Sequence, residues 1–131
     1  MIYTIDNPKL VENFYSFKNS RSFTGVVKDK DNNIAYYLNG KLHREGGPAV
    51  EHANGDKVWW LNDKVHREDG PAVERSSGSK EWCLNGKLHR DNGPAVTYSD
   101  GSKEWWFNGG YYGDDDAYTD ESWIAHVATL K

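Results

Sequence analysis

The stretch Leu38-Asn-Gly-Lys-Leu-His-Arg-Glu-Gly-Gly-Pro-Ala-Val50 decides the fold, because the chain repeats it. The second copy runs from Leu61 to Val73, and the third runs from Leu84 to Val96. A fourth copy begins at Phe107-Asn-Gly and no longer matches the phrase after Gly110. The copies are 23 residues apart, as the repeated histidines His43, His66 and His89 show. A constant period of this length predicts a repeat array in which each unit packs on its neighbours.

Two turn signals in every unit predict short antiparallel strands. The first set is Asn54-Gly55, Ser77-Gly78 and Asp100-Gly101, with Asn32 at the glycine position of the earliest unit. The second set is Asn39-Gly40, Asn62-Asp63, Asn85-Gly86 and Asn108-Gly109. Asn, Asp and Gly tolerate the positive φ of type I′ hairpin turns. Between the turns we expect one strand each at residues 34–38, 57–61, 80–84 and 103–107.

Alternation within these strands assigns their residues to two faces. The uniformly apolar face is the predicted core: Tyr36, Leu38, Trp59, Leu61, Trp82, Leu84, Trp105 and Phe107. The opposite face is mixed in polarity: Tyr37, Val58, Trp60, Glu81, Cys83, Glu104 and Trp106. The mixed face is the one that we expect to meet a ligand, although cross-strand packing is the stronger interpretation for any single aromatic there.

Both ends of the chain depart from the repeat. Asn7-Pro8 and the apolar spacing after it predict a capping helix over residues 8–18, and a half repeat follows at residues 20–31. Full units are expected at about 32–54, 55–77 and 78–100, with a partial unit at 101–110. Residues 111–131 should form an acidic turn and a second helix, which begins after Thr119 and carries an apolar stripe.

Composition and charge exclude several classes of protein. Sixteen basic and twenty acidic residues give a net charge of −4, and no basic block favours binding to nucleic acid. No apolar run approaches the roughly 20 residues of a membrane helix, and the N-terminus shows no signal-peptide pattern. The single cysteine, Cys83, suits a reducing compartment. These features predict a soluble intracellular protein.

The repeated polar residues do not have the arrangement of a catalytic or metal site. Equivalent histidines lie two strand spacings apart, roughly 9–10 Å, which is too far for ligands of one metal ion. A structural bond from each histidine to turn backbone or to the following acid is the stronger interpretation. Catalytic groups should be unique, whereas every His–Arg pair occurs three times, so we expect no enzyme, no metal and no cofactor. Arg44, Arg67 and Arg90 form an ion-pair column, or a column that binds anions.

The phrase Leu-Asn-Gly-Lys-Leu-His-Arg-(Glu/Asp)-x-Gly-Pro-Ala-Val resembles tandem repeats of giant-virus and bacteriophage proteins, which look like relatives of MORN repeats. The resemblance covers about residues 20–110; it departs at both ends, at Asp63 and at Cys83. It implies a single-layer antiparallel β-meander, an elongated solenoid used as an interaction surface. It also implies a phage or viral factor that binds and inhibits a host enzyme in the host cytoplasm.

The resulting prediction is a mostly β protein-binding module with a short helix at each end. The expected contacts with a host protein are Tyr37, Trp60, Trp106, Tyr111, Tyr112, Asp114, Asp115 and Asp116. A sponge for a nucleotide or another small anion, a structural spacer and an antitoxin-like immunity protein stay as alternatives. A homodimer formed through a sheet edge is also left open.

Overall fold

A computed structural model describes the backbone of residues 2–5 and all of residues 23–131. The helix predicted over residues 8–18 lies outside the described residues. The chain forms two compact units, Met1–Lys64 and Val65–Lys131. Both are built mainly from antiparallel hairpins, as the repeat predicts, and the second ends in an α-helix.

The first unit is a sheet in which one long strand changes partner along its length. Its strands are β1 (Ile2–Ile5), β2 (Gly25–Asp29), β3 (Ile34–Leu38), β4 (Lys41–Leu42), β5 (Val50–Glu51), β6 (Lys57–Val58) and β7 (Trp60–Leu61). β1 is parallel to β2, and β2 is antiparallel to β3. The first half of β3 pairs with β5 and its second half pairs with β4. β5 then pairs with β6.

The second unit is also built from antiparallel strand pairs, and it adds the helix. After β8 (Lys64–Val65), at the boundary, come β9 (Val73–Glu74), β10 (Lys80–Glu81), β11 (Cys83–Leu84), β12 (Lys87–Leu88), β13 (Val96–Thr97), β14 (Lys103–Phe107) and β15 (Gly110–Asp114). Its sheet has the order β9-β10-β13-β14-β15, and β11 with β12 forms a separate hairpin. A 3₁₀ turn (Asp115–Ala117) leads into α1 (Asp120–Leu130).

The second set of turns is type I′ as predicted, whereas the first set is not. Both central residues have positive φ at Asn39-Gly40, Asn62-Asp63, Asn85-Gly86 and Asn108-Gly109. In the first set only the second residue does, as at Gly55, and Gly55 N donates to His52 O while His52 N donates to Asp56 O. That pattern is a type I turn followed by a left-handed residue, the common longer hairpin loop. Asp63 compensates for the missing glycine, because its Oδ1 accepts from Leu42 N at 2.7 Å.

The predicted separation of two faces is partly wrong. Leu38, assigned to the core, is 38% exposed, whereas Cys83, assigned to the mixed face, is only 7% exposed. Leu38 is the last residue of the continuous strand β3, next to the Asn39-Gly40 turn. Cys83 is misassigned for another reason: strands 57–61 and 80–84 are each split, at Trp59 and Trp82, into two two-residue strands with different partners. Strict alternation needs a continuous strand. Residues 103–107 do form one strand, and there Trp105 is buried as predicted.

The most buried repeated positions are small residues of the Gly-Pro-Ala-Val segment rather than aromatic ones. Ala49, Ala72 and Ala95 are fully buried, and Gly47, Gly70 and Gly93 are buried beside them. The larger clusters lie at the ends of the described chain. Phe23 and Val27 pack with Tyr37 in the first unit, and Trp105, Trp123 and Val127 form the core under α1 in the second.

Each buried glycine makes room for an arginine of the same repeat. A Cβ on Gly93 would lie 2.9 Å from Arg90 Cζ, and equivalent contacts of 2.9 Å and 2.6 Å occur at Gly47 and Gly70. Arg90 Nη1 donates to Pro94 O, and its guanidinium lies 3.9 Å from the Trp82 ring centroid. The guanidinium is therefore held between an aromatic ring and a glycine.

The helix at the C-terminus occupies the position that this arginine would take in the fourth copy. The residue 23 positions after Arg90 is Gly113, so Trp105 has no arginine of its own repeat. Trp123 of α1 packs on the Trp105 ring at 5.6 Å and donates its indole N–H to Arg90 O at 2.7 Å. As predicted, Thr119 caps the helix, and its side chain accepts from Ser122 N.

Gly93→Ala should destabilise the protein only while Arg90 is present. The substitution displaces the guanidinium from Trp82 and Pro94, which costs about 1–2 kcal/mol of unfolding free energy for a cation–π contact and a hydrogen bond. Gly93 does not have a positive φ. In an Arg90→Ala background the same change should therefore be neutral or should stabilise by about 0.4–1 kcal/mol. Urea denaturation of the four proteins measures the difference; an equal cost in both backgrounds would contradict the packing argument.

Candidate functional site

The repeated histidines join successive hairpins through their side chains. His66 Nδ1 accepts from Asn85 N at 3.0 Å, and the same bond joins His43 to Asn62 at 3.1 Å and His89 to Asn108 at 2.9 Å. Each Nε2 faces the acid two residues later, which is closest at Asp91, 2.5 Å away. The predicted structural role is confirmed, except that the backbone partner is the turn of the next unit. Within residues 23–131 no group of three metal-ligating side chains is found.

The three arginines proposed as anion ligands are engaged within their own repeats. Arg44 donates to Pro48 O and lies 4.0 Å from the Tyr36 ring centroid, as Arg90 does with Pro94 and Trp82. Arg67 donates to Pro71 O and also pairs with Asp69 and Glu74. Burial lowers the pKa of Arg90, and the charge of Asp120 opposes that shift. Anion binding by these groups stays a prediction.

A groove in the second unit contains two of these arginines. Its volume is about 260 Å³, and its walls include Arg67, Trp82, His89 and Arg90 together with the carboxylates of Glu68 and Asp91. Ligand pockets for drug-sized molecules have about 300–1,000 Å³. The groove can therefore accept only a small ligand, and its two acidic residues weaken its preference for an anion.

A second surface brings together three of the residues predicted to bind a partner. Trp106 on β14 and Tyr111 on β15 are cross-strand partners, with ring centroids 5.1 Å apart. The Tyr111 hydroxyl donates to Asp114, and the Trp106 indole N–H donates to Glu104 Oε1 at 2.9 Å. Tyr98 completes the group by donating its hydroxyl to Glu104 Oε2 at 2.8 Å. We call these five residues the acidic aromatic patch: Tyr98, Glu104, Trp106, Tyr111 and Asp114.

The patch is open to solvent and carries uncompensated negative charge. Tyr111 is 51% exposed and Tyr98 is 43% exposed, two of the four large apolar or aromatic side chains described as exposed in residues 23–131. Glu104 and Asp114 are cross-strand partners with like charges. Among the described residues neither carboxylate forms an ion pair with Lys or Arg. Like charges placed opposite each other on a sheet are destabilising.

The charge of the whole second unit has the same sign. Residues 65–131 contain seven Lys and Arg against twelve Asp and Glu, a net charge of −5. Residues 1–64 contain nine basic and eight acidic residues, a net charge of +1. The negative charge of the protein therefore belongs to the unit that carries the patch, and it should attract cationic partners.

The remaining predicted contact residues lie elsewhere. Tyr112 is on the opposite face of β15, where it packs against Trp123 with ring centroids 5.6 Å apart. Asp115 holds the end of β14, since its Oδ1 accepts from Lys103 N and its backbone oxygen accepts from the Trp105 indole. Asp116 is exposed in the 3₁₀ turn.

Two further predicted contacts belong to the first unit. Tyr37 packs on Phe23, with ring centroids 5.6 Å apart. Trp60 is half-buried in β7, and its carbonyl accepts from Arg44 N. Its indole N–H is buried and, in the described part of the chain, has no hydrogen-bond partner.

Tyr98 was missed by the sequence analysis, although a signal for it exists. The residues 23 and 46 positions earlier are Arg75 and His52, so the tyrosine departs from the residue types at the equivalent positions. A non-repeated residue in a repeat is where individual function should be sought. Its partner Glu104 was placed on the mixed face but was not proposed as a contact.

No protein-family model, curated protein or solved structure matches this chain. Among the residues that the structure describes, no helix is long and apolar enough to cross a membrane.

Asp114→Asn should lower the pKa of Tyr111. The hydrogen bond to the Asp114 carboxylate favours the protonated phenol, and it raises the pKa of Tyr111 from 10.0 to about 12. Alkaline absorbance titration should show one tyrosine titrating earlier in the variant, and Tyr111→Phe identifies that residue. The matched control, Asp116→Asn, should leave the titration unchanged.

The raised pKa of Tyr111 also determines how the free energy of unfolding changes at alkaline pH. A group whose folded pKa is raised stabilises the fold below its unfolded pKa, and this contribution is lost as the pH rises from 10.0 to about 12. The Asp114→Asn variant should lose less stability over this range than the wild type. An unchanged Tyr111 titration in Asp114→Asn would contradict the assigned bond.

Proposed function

We propose that this protein is a non-enzymatic module that binds another protein through the acidic aromatic patch. The observation that carries the proposal is the exposure of Tyr98 and Tyr111 beside the cross-strand acids Glu104 and Asp114. Tyrosine and tryptophan dominate the binding energy of protein interfaces, because they bury large areas at low conformational cost. Three of the five patch residues are those that the sequence predicts as contacts.

The chemistry of the candidate nucleophile and bases supports a binding role over catalysis. Each repeated histidine uses Nδ1 to accept a backbone N–H and faces an acid with Nε2, so both ring nitrogens have structural partners. Burial raises the pKa of the Cys83 thiol to about 11. A thiol with that pKa is protonated near neutral pH, whereas nucleophilic cysteines need the thiolate.

The biological setting rests on the repeat phrase alone. Its resemblance to MORN-like repeats of giant-virus and bacteriophage proteins supports a host-takeover or anti-defence factor that inhibits a host enzyme in the host cytoplasm. The solenoid arrangement of those repeats belongs to the same proposal. The sheet and the patch support only the narrower part, which is binding to a protein.

Tyr111→Ala should abolish capture of the partner from a nuclease-treated lysate of the natural host. The substitution removes a side chain that is 51% exposed, so the fold should persist. Ile124→Ala is the matched control, since Ile124 is 49% exposed on α1 and outside the patch. Folding is checked by the buried Cys83 thiol, which should resist thiol reagents until the protein is unfolded. Equal capture by the folded Tyr111→Ala variant would refute the proposed surface.

The groove at Trp82 favours a second candidate function, sequestration of a small anion. Arg67, His89 and Arg90 line it, and its volume of about 260 Å³ admits a ligand of phosphate size more readily than a nucleotide. A thermal-shift assay with inorganic phosphate tests this role, because a ligand at 100 times its Kd adds about 2.7 kcal/mol to stability. An unchanged melting temperature at saturating phosphate would remove this candidate.

A further inference from the structure

The repeat shows what kind of group the patch lacks. In the preceding unit the Arg75 guanidinium pairs with Glu81, with Nη2 2.9 Å from Oε2. The residues 23 positions later are Tyr98 and Glu104. The acid is therefore retained while its arginine is replaced by tyrosine. Tyr98 still donates a hydrogen bond to Glu104, but it brings no positive charge.

The replacement leaves two carboxylates that a cation could bind together. Glu104 and Asp114 are paired across β14 and β15, so their Cα atoms are about 4.5–5.5 Å apart. Each of their oxygens that accepts a hydrogen bond from a ring group keeps a second lone pair for another donor. A cation between these acids would also relieve the repulsion between them.

The aromatic members of the patch favour a guanidinium group over an ammonium group. A planar guanidinium stacks on tyrosine and tryptophan rings and forms forked hydrogen bonds to carboxylates. The chain itself uses this contact, with Arg44 lying 4.0 Å from the Tyr36 ring centroid and Arg90 lying 3.9 Å from that of Trp82. The exposed rings of Tyr98 and Tyr111 provide the same platform to a group from outside.

We propose that the acidic aromatic patch binds an arginine side chain in an exposed basic segment of the partner, which takes the role that Arg75 has toward Glu81. This inference rests on the proposed function and names the chemistry of the partner. The net charge of −5 on the second unit adds long-range attraction for such a segment. Binding should weaken with added salt, because exposed charge pairs are screened.

The test uses a capped, water-soluble peptide of alternating glycine and arginine, and matched peptides with lysine or glutamate in place of arginine. Calorimetric titration of the full chain should show the arginine peptide binding at least fivefold more tightly than the lysine peptide, and no binding of the glutamate peptide. Asp114→Asn, which keeps an acceptor for Tyr111, should weaken binding of the arginine peptide at least fivefold. Asp116→Asn should have no effect.

Tyr98→Arg provides the sharpest variant, since it restores within the chain the ion pair that Arg75 makes with Glu81. The variant should keep its fold and lose affinity for the arginine peptide at least tenfold, because its own guanidinium occupies Glu104. Tyr98→Phe, which keeps the ring, should weaken binding much less. Undiminished binding by Tyr98→Arg, or equal binding of the arginine and lysine peptides, would overturn the inference.

Together, the capture and peptide experiments distinguish failure of the guanidinium inference from failure of the proposed function. If host-protein capture depends on Tyr111 but the arginine peptide does not bind, the binding module stands and the guanidinium inference falls. If neither capture nor peptide binding depends on the patch, both fall.

Discussion

The fold depends on one packing constraint, the repeated arginine that packs on a glycine in all three full repeats and, at Arg44 and Arg90, also lies over an aromatic ring. A partly buried guanidinium is stable only if its donors are satisfied and its planar faces are covered. Here the proline carbonyl accepts a hydrogen bond at 3.1–3.2 Å, and a missing Cβ gives the second face room to pack. The sequence pattern Arg-x-x-Gly-Pro is thus a single unit of structure, and the fully buried alanine follows it directly.

The structure after the last full repeat follows from the same constraint. When the arginine is lost at Gly113, the Trp105 ring needs another cover, and Trp123 supplies it from α1. Tyr118, at the position of the repeated alanine, packs on both tryptophans. Lys131 then pairs with Asp91 at 2.9 Å, and this bond, with that of His89, holds the pKa of Asp91 below its usual range. The C-terminal segment therefore covers the last repeat, which lacks the arginine that would cover its own ring.

Local features of the fold could be predicted from the sequence, because the period and the turn residues determine them. The Asn-Gly hairpins, the strands at residues 34–38 and 103–107 and the helix after Thr119 needed no knowledge of distant contacts. The face assignment of Cys83 failed because Trp82 interrupts its strand, and such breaks depend on which neighbour each half-strand pairs with. Trp106 was predicted from the mixed face, and Tyr111 and Asp114 were predicted from the departure from the repeat after Gly110. Tyr98 and Glu104 were not, since their importance appears only when they are compared with the ion pair of Arg75 and Glu81, 23 residues earlier.

In the proposed account, the patch binds a partner because the repeat has lost one internal partner there. Replacing an arginine by tyrosine leaves an acid, a ring and a place for a guanidinium on the same sheet face. The most direct measurement is hydrogen–deuterium exchange of the full chain, alone and with its captured host partner. The account predicts that new protection is concentrated in peptides spanning residues 96–114. Protection confined to residues 23–64 or to α1, with residues 96–114 unchanged, would contradict it.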